Sequence, residues 1–87
     1  MPRFYFDIFN GNGRTPDEEG LELESQAAAR RIALDSVRSI IAEEARDGVI
    51  DLGGRIEVKD KAANVLMTVD FVEAFELRMP VASGNRE

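Results

Sequence analysis

The sequence predicts an α+β domain of order β-α-β-β: a three-stranded, antiparallel sheet with one long helix packed on one face. Three observations carry that expectation. Ser25 to Gly48 is an uninterrupted amphipathic stretch bounded by residues that start and stop helices. Arg3 to Phe9, Arg55 to Lys59 and Val65 to Val72 alternate between two faces at the period of a strand. Clusters rich in Asn, Gly and Asp separate these stretches and read as turns.

In the first strand Phe4, Phe6 and Ile8 share the face that lies under the helix, and Arg3, Tyr5, Asp7 and Phe9 share the other. Asn10-Gly11-Asn12-Gly13 is a tight turn, since both residue types tolerate positive φ. Arg14 to Gly20 reads as polar loop. Leu21 and Leu23 alternate with Glu22 and Glu24 as an extended lead-in whose leucines cover the start of the helix.

Ser25 offers a hydroxyl to cap the first turn, and Gln26 to Ala29 lose little entropy in a helix. No Gly or Pro follows until Gly48, which suits the left-handed position that ends helices. A helix from Gln26 to Arg46 would be about 31 Å long. Ala27, Ala29, Ala33, Leu34, Val37, Ile40, Ile41 and Ala45 fall in one apolar arc. Arg30 and Glu44 intrude near its ends, where long side chains snorkel to water. Ile32 lies among polar neighbours, where a partner could cover it.

Val49, Ile50 and Leu52 form an apolar connector that Gly53-Gly54 breaks. In the second strand Ile56 and Val58 point inward, with Arg55, Glu57 and Lys59 outward. Asp60 to Asn64 is a hairpin loop. In the third, Val65, Met67, Val69 and Phe71 face the helix, and Leu66, Thr68, Asp70 and Val72 face away. Beyond Glu73, Ala74, Phe75 and Leu77 prolong the strand or start a helical turn, and Pro80 stops either. One domain over residues 1–78 with a disordered tail over 79–87 is the expected organisation. The third strand is expected beside the first. Were the second there instead, the helix would become a right-handed crossover between parallel strands.

The 87 residues carry no cysteine and no histidine, which removes disulfides, thiolate metal sites and the usual general base near neutral pH. A net charge of −6 repels nucleic acid and anionic lipid at long range. No apolar run approaches the roughly 18 residues of a membrane span, and no signal-peptide core opens the chain. A cytoplasmic location is the expectation.

A sheet covered on one face leaves the other bare, here with Tyr5, Phe9, Leu66 and Val72. An apolar patch of this kind marks an association surface. With Ile32 on the helix, these residues form the candidate interaction surface, and a two-fold homodimer is the expected assembly.

Gly11-Asn12-Gly13 lacks the third glycine and the following helix of a dinucleotide fingerprint, because Pro16 occupies that position. Asn10, Asn12, Gly13 and Glu19 match part of a calcium loop, but Ile8 replaces its opening acid and a strand precedes it. Asp17, Glu18 and Glu19 read as a solvated acidic loop, and Asp7 beside it has neither nucleophile nor oxyanion donor. Arg30, Arg31, Arg38 and Arg46 suggest a basic stripe for nucleic acid. Arg31–Asp35, Asp35–Arg38 and Glu43–Arg46, however, have the spacing of intrahelical ion pairs. Phe4, Tyr5 and Phe6 are better explained by core packing than by base stacking.

Met1-Pro2-Arg3-Phe4-Tyr5-Phe6-Asp7, then Asp17-Glu18-Glu19-Gly20 and the Ala27-Ala28-Ala29 helix start, resembles a family of short uncharacterised bacterial proteins. Its members open M-P-R-[YF]-[YF]-F-D, carry a D-x-x-G motif before a single helix and finish with a β-hairpin. The resemblance reaches about Glu73. It implies this fold, no activity and no catalytic or binding residues. It also marks Asp17 and Gly20, which read as a turn in which Asp bonds locally and Gly takes positive φ.

The functional expectation is a small non-enzymatic interaction module, homodimeric or joined to a protein partner, with no catalytic, metal or cofactor residues and no membrane contact. A nucleic-acid-associated regulator using the helix arginines is the second class, and a cation-binding or acid–base enzyme using the acidic loop is the third.

Overall fold

A computed structural model describes residues 1–81. The elements run β1 (Arg3–Asn10), β2 (Gly13–Thr15), β3 (Leu21–Glu22), α1 (Gln26–Asp47), β4 (Arg55–Lys59) and β5 (Val65–Asp70), closing with a 3-10 turn over Phe71–Ala74. The class is α+β, as predicted; among the described residues there is one helix, and the sheet has five strands. Its order is β2-β1-β4-β5, with β3 also on β1 and every pairing antiparallel.

The two additional strands lie in what the sequence presented as loop and lead-in. Asn10 pairs with Gly13 across a two-residue turn, in which the Asn10 side chain accepts the Asn12 N–H at 2.9 Å. After a break, Phe4 pairs with Leu21 and Arg3 with Glu22. β2 is too short to show a period, and the alternation around β3 marks an extended segment without naming the strand it pairs with.

Strand order also departs from expectation. β4, rather than the third expected strand, lies beside β1, and it is antiparallel to it. The cause is the return path. β2 and β3 bring the chain back to the start of β1 before the helix begins. The helix therefore carries the chain to the far end, and β4 descends alongside β1.

Ser25 caps α1 by accepting the Ala28 N–H at 3.1 Å, and Gly48 ends it in the left-handed region at φ 90°. Phe4, Ala29, Ala33, Val37, Ile41, Ile56, Val58, Val69, Phe71 and Ala74 form the buried core, with Phe6, Ile8, Leu34 and Ile40 packed at its margin. Alanines at the centre of the seam let the helix approach the sheet closely. Ala27 and Ala45, on the same arc by angle, are exposed in the first and last turns. The 22-residue helix, about 33 Å long, outreaches the 8-residue β1, about 26 Å. Arg30 and Glu44 do not snorkel to water alone. Arg30 pairs with Glu73 at 3.0 Å, and Glu44 accepts the Asp51 N–H at 2.9 Å, so each ties a flanking connector to the helix.

A register irregularity at Val58/Lys59 sets Lys59 opposite Val65 and leaves Leu66 without an opposite residue. The faces of these two residues are thereby exchanged from the expected ones. Val65 is 52% exposed, whereas Leu66 packs against the core. The strand ends at Asp70, not Val72, because Phe71 and Ala74 turn under the helix and are buried there. Arg38 fastens this turn by donating to the Ala74 carbonyl at 2.9 Å. Residues 75–81 form no regular element, and 82–87 of the expected tail lie outside the described residues. Among the described residues no helix is long and apolar enough to cross a membrane.

Candidate functional site

The uncovered face of the sheet is built by alternation. Tyr5, Lys59 and Val65 form one cross-strand row, Asp7, Glu57 and Thr68 the next, and Phe9, Arg55 and Asp70 a third. This face is charged more than apolar. Asp7 is 4% exposed and accepts from Lys59 and Arg14, each at 2.9 Å, and from the Asp17 N–H at 2.9 Å. Burial pushes its carboxyl up, but the Asp17 N–H, the Lys59 ammonium and the Arg14 guanidinium together outweigh that and hold it down at about 2. Arg55 stacks on Phe9 with its guanidinium carbon 4.2 Å from the ring centroid. A shallow cleft of about 200 Å³ lies over Asp7, walled by Tyr5, Arg14, Asp17, Lys59 and Lys61. Asp60 also lines it, so its three acids and three bases cancel in formal charge.

The two edges of the sheet differ in how their backbone is satisfied. On the β1 side, β2 and β3 follow one another along the strand and leave a gap at Phe6. Asp17 fills it. One carboxylate oxygen accepts the Phe6 N–H at 3.0 Å, and the other accepts the N–H groups of Glu19 at 3.2 Å and Gly20 at 3.1 Å. Gly20 stands at φ 69°, and a Cβ there would sit 2.8 Å from the Phe4 carbonyl oxygen. Arg3 closes the loop by donating to the Glu19 carbonyl at 2.7 Å and pairing with Glu22. The D-x-x-G motif is thus a plug for an interrupted edge.

On the β5 side no strand follows among the described residues. Phe71 donates to the Gly54 carbonyl, and antiparallel bonding alternates. Val69 and Met67 therefore bond inward to β4, while Asp70 and Thr68 turn their N–H groups to the outer edge. Glu73 accepts the Asp70 N–H at 3.0 Å. That bond, with the Arg30 guanidinium, keeps the Glu73 carboxyl below its usual range. Nothing among the described residues accepts from the Thr68 N–H on the outer edge.

A family model described as a domain of unknown function matches residues 3–72. The chain belongs to the DUF6894 family. No curated protein and no solved structure matches it. The family span thus contains both edges and the Asp7 cluster, and ends before residues 75–81.

The five candidate surface residues are not brought together in this DUF6894 domain. Tyr5 and Phe9 share the open face, both half-buried. Leu66 packs on the core side, displaced by the register irregularity. Val72 sits exposed in the 3-10 turn, and Ile32 is half-buried on the helix. Of the helix arginines, Arg38 pairs with Asp35 and Arg46 with Glu43, each at 3.4 Å, and Arg30 with Glu73. Asp17, the one acidic-loop carboxylate half-buried, is committed to backbone donors. What the sequence reading missed is the outer edge of β5. Its signal was present in Val65-Leu66-Met67-Thr68-Val69-Asp70, a strand without Pro or Lys.

Proposed function

We propose that this DUF6894 domain is a non-enzymatic, homotypic interaction module, and that the outer edge of β5 is where a second copy of the chain adds a strand. The observation that carries this reading is the unmatched Thr68 rung, on an edge where a carboxylate closes only the neighbouring Asp70 rung and the strand itself carries no Pro or Lys. Arg3, Asp7, Asp17 and Gly20 are then the family's architectural signature and not a reactive centre. The lack of cysteine and the resemblance to bacterial proteins support a setting in the bacterial cytoplasm. The helix arginines give a nucleic-acid reading less support, since Arg30, Arg38 and Arg46 already hold carboxylates.

The test is molar mass by light scattering across a concentration series, for the full chain and for Thr68→Pro. Proline removes the outward donor without removing a bond to β4. The reading expects a two-chain mass for the parent and a one-chain mass for a variant with an unchanged far-UV spectrum. A one-chain mass for the parent at every concentration overturns it, as does a variant that still pairs.

A further inference from the structure

We infer that the strand added to β5 is the segment Phe75–Val81 of the second copy, so that two chains exchange C-terminal arms. This rests on the homotypic reading above and names the piece that fills the edge. The segment is extended from its first residue, with Phe75 at φ −136° and ψ 150°. It repeats at the period of a strand: Phe75, Leu77, Met79 and Val81 are apolar, and Glu76, Arg78 and Pro80 alternate with them. Glu76 and Arg78 pair at 3.0 Å, as side chains two apart on one side of an extended chain do. Phe75 packs on its own core, whereas Leu77, Met79 and Val81 stand 57%, 77% and 60% exposed. The segment therefore has a strand's pattern and no sheet beneath it.

Lengths agree. With Phe75 held in its own core and the Asp70 rung skipped, the six residues 76–81 span about 20 Å and the five of β5 up to Val69 about 17 Å. Proline fits too, because the added strand becomes the new edge, where a missing N–H can face solvent.

The arm does not close on its own β5. A hairpin within one chain would begin at the rung next to the turn, and the Glu73 carboxylate holds that rung through the Asp70 N–H. The turn itself is fixed toward the helix by Arg30–Glu73 and by Arg38 on the Ala74 carbonyl. An arm arriving from another chain can skip the blocked rung and engage Thr68.

The experiment adds the full-length double variant Leu77→Glu/Met79→Glu to the same light-scattering series, with far-UV circular dichroism and a thermal melt as folding controls. Both side chains are exposed in the single chain, so the fold of the monomer should be unaffected. Arm exchange expects the two-chain mass to halve in this variant and also in Thr68→Pro. A double variant that stays paired while Thr68→Pro does not would overturn the arm and leave edge pairing through β5 itself. A double variant that separates while Thr68→Pro stays paired would place the arm elsewhere and overturn both readings. A parent chain of one-chain mass at every concentration overturns both as well.

Discussion

The two edges of this sheet use the same device, a carboxylate on a backbone donor, to different extents. Beside β1, the partner strand is interrupted, and a side chain replaces the missing strand: Asp17 takes the Phe6 N–H and two more from its own loop. Beside β5, one rung is closed by Glu73 and the next is left open at Thr68. A carboxylate aimed at a backbone donor ends strand addition, because it satisfies the donor without offering a new edge. The contrast indicates that edge closure in this domain is local, applied to single backbone donors and not to a whole strand.

Gly20→Val should disturb the closed edge most. It forces a branched residue to φ 69° and drives a Cβ against the Phe4 carbonyl, costing more than about 3 kcal/mol in denaturant unfolding. Asp17→Ala comes next. It strips acceptors from three N–H groups, at about 2–3 kcal/mol, and should speed hydrogen exchange at Phe6 while leaving the β4–β5 amides slow.

Asp7→Asn should cost about 2 kcal/mol at neutral pH, a figure already reduced for the half-exposed Arg14. The same carboxyl sets a pH dependence. Its folded pKa, about 2, lies below the ordinary 3.8, so its contribution is complete above about pH 4 and is lost as pH falls toward 2. An acid titration of the melting temperature should show that step in the parent and lose it in Asp7→Asn. Thr68→Pro should be the mildest for the single chain, under about 1 kcal/mol, because the donor it deletes serves no bond to β4. A large loss there would erase the distinction between the edges.

Much of the domain was legible where the signal was local and repeated. Ser25 bounds the helix through its hydroxyl and Gly48 through the left-handed backbone its missing Cβ permits, and Ile56, Val58 and Val69 lie on the face their alternation assigned. Asp17 and Gly20 were legible as a turn, since local capping and positive φ are properties of single residues. The bond that Asp17 accepts from Phe6, eleven residues away, was not. Val65 and Leu66 changed faces because a strand's period holds only until a residue is inserted, and the irregularity opposite Lys59 leaves no mark in composition. Phe71 continued the alternation of β5 yet belongs to a turn, because burial under α1 outweighed strand continuation.

The chain by itself therefore determined its elements: one capped amphipathic helix, a set of two-faced strands, and the turns between them, all governed by side chains within a few residues. The tertiary structure alone decided which strands became neighbours, which carboxylate met which backbone donor, and which edge remained open. Those outcomes depend on contacts between segments far apart in sequence, and a periodic pattern says which face is apolar without saying what lies beside it.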